Sequence, residues 1–143
     1  MRELTTQLRV RYAETDAWGV TYHSNFIIYF EVGRNEFNRD LQLDWRAIEA
    51  TGVSMVVAEA HVKYTAPAKY DDLLTICTGV AKLGNRSIRF EYRILRGEEL
   101  LCTGWTAHVF VDRVGKPVLV PEAFREVLRV HDLLPVIESP TET

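Results

Sequence analysis

The chain has little of what would make it a stapled, metal-bound or membrane-spanning protein. It carries two cysteines, Cys77 and Cys102, in 143 residues. Each lies inside a strand-like run and neither belongs to a CxxC or Cys/His cluster. That argues against a disulfide framework and for two reduced, buried thiols. The four histidines, His23, His61, His108 and His131, show no ligand spacing, so no metal is implied. No apolar run approaches the ~20 residues of a membrane span, and no apolar leader follows the first residues. A cytoplasmic protein without a membrane span is therefore expected. Excess positive charge is also missing. The formal net charge is −3, with both signs interspersed, so nucleic acid is not an expected partner. There is no repeat, no low-complexity stretch and no interdomain linker.

What is present suits one folded domain. Hydrophobic residues make up 47% of the chain, enough for a single core. One domain is expected over residues 1–135, with a polar tail over 136–143. Leu8, Val10 and Tyr12 alternate with Gln7, Arg9 and Arg11, which predicts a half-buried strand over 6–12. Residues 13–22 read as a loop. Phe26, Phe30, Gly33, Phe37 and Leu41 then recur at spacings of three and four, predicting a helix over 24–41. A glycine within that apolar face costs about 1 kcal/mol relative to alanine, and marks where the helix backbone crosses a sheet closely. A short helix follows over 44–50, with Asp44 as its cap. Strands are expected over 54–64, 73–83, 88–94 and 100–112, joined by short turns. A terminal helix is expected over 121–134, with Pro121 in its first turn. The order is strand, helix, then consecutive strands. It predicts an α+β fold in which one helix covers one face of an antiparallel sheet. The other face then needs a partner, and a second subunit is a candidate.

The run from Tyr12 to Phe26 carries the chemistry. It sets an acid, Asp16, a glycine turn at Gly19 and a histidine, His23, immediately before the long helix. Unpaired N–H groups in a first helical turn, backed by the helix dipole, stabilise negative charge. A carbonyl held there is polarised toward an oxyanion. A carboxylate nearby could attack that carbonyl or activate water. Each part also has a plainer reading. Asp16 before a glycine is often an Asx-turn residue, and His23 at a helix start is often a cap. Tyr12 at a strand end is often core or rim. Glu14 reads as solvated.

The same run resembles the signature of the hotdog acyl-CoA thioesterases. It is similar to the 4-hydroxybenzoyl-CoA thioesterase group and the Tol–Pal-associated acyl-CoA thioesterases. Glu14-Thr15-Asp16, Gly19, Tyr22-His23 and Asn25-Phe26 match that pattern in order and spacing. Tyr29-Phe30-Glu31, Arg34 and Glu36 match downstream, as does Lys63-Tyr64 through Asp71-Asp72-Leu73-Leu74. The resemblance implies a hotdog fold, a five-stranded antiparallel sheet wrapped around a long central helix. It also implies a homodimer or homotetramer with acyl-CoA sites between subunits. Asp16 occupies the family's catalytic position, as nucleophile or general base. His23 and Tyr12 match residues implicated in the second group. The substrate-binding set implied is Trp18, Gly19, Tyr22, Asn25, Phe26, Val57, Lys82 and Arg86. The sequence departs from the pattern at Phe26, which replaces a tyrosine, and at Trp18, which replaces a small residue. It is also sparse in basic residues near 84–87, where only Lys82 and Arg86 stand to meet nucleotide phosphates. No cofactor is implied beyond the CoA of the substrate.

Two other readings stand beside this one. A hotdog hydratase or dehydratase usually places a histidine on the central helix, and residues 29–41 contain none. A non-catalytic acyl-CoA-binding module would need the same pocket without hydrolysis.

Overall fold

Ile88, Phe90, Tyr92 and Ile94 alternate with Arg89, Glu91 and Arg93, so one face of this run must be buried. In the computed structural model, which describes residues 2–135, the run is β4 (Ser87–Arg96). Its four apolar side chains are buried. The expected tail over 136–143 lies outside the described residues.

Four further strands complete an antiparallel sheet: β1 (Glu3–Arg9), β2 (Ser54–Tyr64), β3 (Leu73–Leu83) and β5 (Glu99–Val111). Their order is β1-β3-β4-β5-β2. Short turns join β3 to β4 and β4 to β5, as expected, and each pair is antiparallel. The expectation of short turns throughout fails between β2 and β3. β2 pairs with β5, from Ser54 opposite Val111 to Tyr64 opposite Cys102. Residues 65–72 then carry the chain across to β3, on the far side of the sheet. β2 is thus an edge strand, and Val56 and Val57 on it are exposed.

α1 (Asn25–Asp40) packs on the inner face through Phe26, Tyr29, Phe30, Gly33 and Phe37. At 16 residues it is about 24 Å long. Phe30 stacks on Tyr92 with ring centroids 4.3 Å apart. Gly33 is the crossing point its position predicts. A Cβ there would stand 2.5 Å from Thr78 Oγ1 and 2.8 Å from Ile76 Cγ2. Each fully buried apolar side chain of this layer contributes about 1.5–3 kcal/mol.

α2 (Trp45–Ala50) begins as expected, with Asp44 Oδ1 accepting from the Ala47 N–H at 3.1 Å. α3 (Glu122–Val130) is shorter than the expected 121–134. Pro121 caps it from outside its first turn. Its end is a left-handed stop at Asp132, φ 57°, with the Leu133 N–H donating to Leu128 O and the Asp132 N–H to Arg129 O. Aspartate there in place of glycine hides the stop in the sequence.

β1 likewise differs at both ends, starting at Glu3 and finishing at Arg9. Val10 still pairs with the crossover: its N–H donates to Asp72 O, and Asp71 N–H to Val10 O. The next amide, of Arg11, donates instead to Glu14 Oε1 at 2.9 Å. The chain therefore leaves the sheet and turns through one 3-10 turn at Tyr12–Glu14.

Candidate active site

The segment between that 3-10 turn and α1 folds as a small hairpin. Thr15 bridges Thr21, Asp16 N–H donates to Val20 O at 2.9 Å, and Tyr22 N–H donates to Glu14 O at 2.8 Å. Gly19 turns the hairpin with φ +78°, a conformation that a side chain disfavours. The hairpin rests on the β2–β3 crossover, through Thr21 N–H to Ala68 O and a bridge from Val20 to Lys69.

Asp16 is partly buried in this hairpin. Its Oδ1 accepts the Trp18 N–H at 2.9 Å, so the Asx turn is real. Its second oxygen has no donor among the described residues. The plain and the chemical readings are thus compatible: one oxygen holds the turn and the other is available.

Shortly after Thr21 the helix begins. Asn25 N–H donates to Tyr22 O and Phe26 N–H to His23 O, while the N–H groups of His23 and Ser24 meet no acceptor among the described residues. Ser24, the capping residue, makes no side-chain cap. The two residues immediately before α1 therefore offer two unpaired donors at the base of the hairpin that carries Asp16.

Around this point lies a hollow of about 300 Å³ lined by Thr21, Phe26, Tyr64, Thr65, Ala66 and Pro67. Phe26 and Tyr64 meet edge to face at 5.3 Å. Phe26 is expected there from the sequence. Tyr64, Thr21 and Pro67 are not, because only the crossover brings β2's last residue to the helix start. Three hollows are larger: two, of about 530 and 760 Å³, lie around α2, and one of about 590 Å³ lies on the sheet beside His61, Glu91 and Trp105. None is lined by a residue of the hairpin, so size alone does not mark the site.

The remaining expected residues divide in two. Tyr22, half exposed, tilts its ring against His23 at 4.4 Å. Tyr12 is exposed, edge-on to Tyr70 at 5.6 Å. The Asn25 amide donates to Glu14 O at 3.0 Å, so it holds the hairpin. Trp18 is 90% exposed and is not among the residues lining the 300 Å³ hollow. Lys82 and Arg86 lie at the far end of β3, about 30 Å along the strand from Leu73 at ~3.3 Å per residue. Val57 stands on the edge of β2. One chain does not bring these three to Asp16.

Glu14 reverses its expectation as a solvated residue. Its side chain is 11% exposed. Oε1 accepts from Arg11 N–H at 2.9 Å and from Tyr29 Oη at 2.9 Å, and Oε2 from Arg11 Nε at 3.0 Å. Burial alone would raise its pKa, but the Arg11 amide, the Tyr29 hydroxyl and the Arg11 guanidinium together hold it below the ordinary carboxylate value. Burial and the Glu14 carboxylate push the Tyr29 phenol well above its usual range.

A second polar chain runs beneath α1, away from the hairpin. Arg34 Nη1 donates to Tyr92 Oη at 3.1 Å, Tyr92 Oη lies 2.6 Å from Thr106 Oγ1, and Thr106 Oγ1 lies 2.7 Å from His108 Nε2. Burial, then the Arg34 charge, lowers the His108 pKa to about 4, so this imidazole is neutral at pH 7.

A family profile described as the Thioesterase-like superfamily matches residues 10–128. The chain is 37% identical over 94 residues to an Escherichia coli protein named acyl-CoA thioester hydrolase YbgC, covering 66% of this chain and 70% of that one. It is 35% identical over 118 residues to the acyl-CoA thioesterase YbgC of Haemophilus influenzae, covering 80% and 86%. Among solved structures, a DHNA-CoA thioesterase from Staphylococcus aureus superposes with a TM-score of 0.84 at 27% identity, covering 96% and 99% of the two chains.

Proposed function

The chain belongs to the thioesterase-like superfamily and is an acyl-CoA thioester hydrolase, and on that premise we propose that Asp16 is its catalytic carboxylate. The observation that carries the assignment is the hairpin pairing. It joins Asp16, with one unoccupied oxygen, to the helix start in one short hairpin: Asp16 pairs with Val20, and two rungs away Glu14 pairs with Tyr22, immediately before the two unpaired N–H groups. In this reading α1 is the central helix of a hotdog fold.

The thioester carbonyl oxygen accepts from the His23 and Ser24 N–H groups, where developing negative charge is stabilised. Asp16 then either adds to the carbonyl carbon, giving a mixed anhydride that water cleaves, or draws a proton from a water that adds in its place. The carbon–sulfur bond breaks, and its electron pair leaves with the CoA thiolate, which takes up a proton. The products are a carboxylic acid and free CoA. Thiolate is a good leaving group, so no cofactor and no strong acid are called for. The acyl group lies against Phe26 and Tyr64, with Gly19, Tyr22 and Asn25 framing its carbonyl end. His23 and Tyr12 are the further catalytic candidates, both at the mouth of the hairpin.

The site is completed by a second subunit. β2 is an edge strand of 11 residues, and a second copy of it would pair its exposed backbone. Val57, Trp18, Lys82 and Arg86 then act between subunits, Val57 against the partner's acyl group and the two cations on the nucleotide.

The test is thiol release from butyryl-, octanoyl- and benzoyl-CoA by wild type and Asp16→Asn. The variant should lose about 100-fold or more in kcat while keeping its fold. A folded variant with wild-type turnover refutes the assignment. Absence of release from every substrate by wild type, with binding retained, would make the protein a binding module.

A further inference from the structure

We infer that Glu14 is a positioning residue, which locks the hairpin onto α1 and so fixes where Asp16 stands. This rests on the reading of Asp16 as the catalytic carboxylate.

Glu14 is the joint between two parts of the site. Its backbone carbonyl accepts from Tyr22 N–H and from the Asn25 amide, at the closing end of the hairpin. Its carboxylate accepts from Arg11 at the opening end and from Tyr29 on the buried face of α1. Asp16 follows two residues later, with its own N–H already committed to Val20 O. The orientation of Asp16 relative to the helix start is thus set through Glu14.

The two Glu14 side-chain links are not equivalent. The Arg11 guanidinium is 78% exposed, and an exposed ion pair contributes little. Tyr29 is 2% exposed. Packing alone would be met by phenylalanine there, since a buried hydroxyl without a partner is costly. Its hydroxyl is needed for the bond to the loop. That bond is charge-assisted and partly shielded from water, the setting in which a hydrogen bond holds geometry best.

Glu14 is not itself the reacting carboxylate. Three donors occupy its two oxygens, and they disfavour its protonation. Asp16 carries one donor on one oxygen. The pair divides the work: Glu14 is saturated and holds, Asp16 is half-saturated and reacts. A displacement of about 1 Å at a reacting group costs on the order of 100-fold. Loosening the clamp without removing it should cost about 10-fold.

The experiment compares Glu14→Gln, Tyr29→Phe, Asp16→Asn and the double variant Glu14→Gln/Asp16→Asn, with whichever of butyryl-, octanoyl- or benzoyl-CoA wild type turns over fastest. Glu14→Gln and Tyr29→Phe should each lower kcat about 10-fold and leave KM within about twofold. In the Asp16→Asn background, Glu14→Gln should change the residual rate by less than about twofold, because residues acting as a unit are not additive. An equal loss in both backgrounds would mean that Glu14 supports the fold or the carbonyl site, and the inference would fail. Wild-type kcat in both Glu14→Gln and Tyr29→Phe, with Asp16→Asn inactive, would overturn it and leave the Asp16 assignment standing. Should Glu14→Gln not fold, Tyr29→Phe alone decides, because the ring and its packing remain. Asp16→Asn with wild-type activity would remove the premise instead.

Discussion

Tyr64 Oη donates to the backbone carbonyl of His23 at 2.8 Å, a link across 41 residues from the end of β2 to the start of α1. It fixes the peptide that carries the unpaired N–H of Ser24 and holds the phenol as a wall of the 300 Å³ hollow. Tyr64→Phe keeps the wall and leaves the carbonyl with the Phe26 N–H as its remaining donor. It should lower kcat/KM about 3- to 10-fold, the scale of one hydrogen bond of about 1 kcal/mol. Acyl selectivity should stay unchanged. Tyr64→Ala should also raise the ratio of octanoyl- to butyryl-CoA turnover. Steady-state kinetics on the three substrates check both. Unchanged kcat/KM in Tyr64→Phe would show that the carbonyl is held without it.

Glu14 also gives an acid signature. Its carboxyl is held below its ordinary value of 4.5 in the folded chain. A group depressed by folding adds stability above its unfolded pKa, and that stability is lost as pH falls through the folded value. Glu14→Gln should therefore be less stable than wild type by about 1–3 kcal/mol at pH 7. The gap should narrow below about pH 4.5 as wild-type Glu14 takes up its proton. Urea melts at pH 7, 5 and 3 measure it. A gap that stays constant to pH 3 would mean the carboxylate charge contributes nothing.

Hydrophobic periodicity makes most of the fold legible in the sequence. Alternation from Ile88 to Ile94 marks β4, and the three-and-four spacing from Phe26 to Phe37 marks the buried face of α1. Both signals are local, so they hold without knowledge of the partners. The β2–β5 pairing is not legible, because strand order depends on a crossover with no periodic pattern of its own. Asp16, His23 and Gly19 are legible as a motif. Glu14 is legible as a position of that motif but not in its role, because a glutamate in a loop is solvated unless a buried donor faces it, and nothing in the sequence pairs it with Tyr29. Tyr64 escapes for a related reason: its partner is a backbone carbonyl, which sequence does not distinguish.

Gly33 tests whether the helix crossing is as tight as its geometry. Alanine should gain about 1 kcal/mol of helix propensity at an ordinary helical site. Here the new methyl would meet Thr78 Oγ1 and Ile76 Cγ2, both β-branched side chains on a central region of the sheet. Their χ1 angles are stiff, so α1 must move instead. Overpacking of this kind costs about 1–3 kcal/mol, which outweighs the propensity gain. Gly33→Ala should lower Tm by several degrees, about 2–8 °C for a domain of this size. Calorimetry showing an unchanged or higher Tm would mean the crossing has slack.

The composite site can be tested by complementation. Val57 is exposed on edge strand β2, and Asp16 lies in a hairpin that one chain leaves without Lys82, Arg86 or Val57 beside it. In a two-fold dimer, Val57→Arg would damage the site that uses the partner's Asp16. A hybrid of one Asp16→Asn chain and one Val57→Arg chain then has one site with both lesions and one with neither. Random pairing makes about half of all dimers hybrid. Co-expression with two different tags and sequential purification isolates them. Hybrid dimers should show about half of wild-type kcat, while each parent falls below about one-hundredth. Trp18→Ala in wild type should, on the same model, change the benzoyl- to butyryl-CoA ratio, because its exposed indole gains a neighbour only at the subunit contact. An assembled hybrid no more active than its parents would count against a shared site. A fully active protein that sediments as a monomer would exclude it.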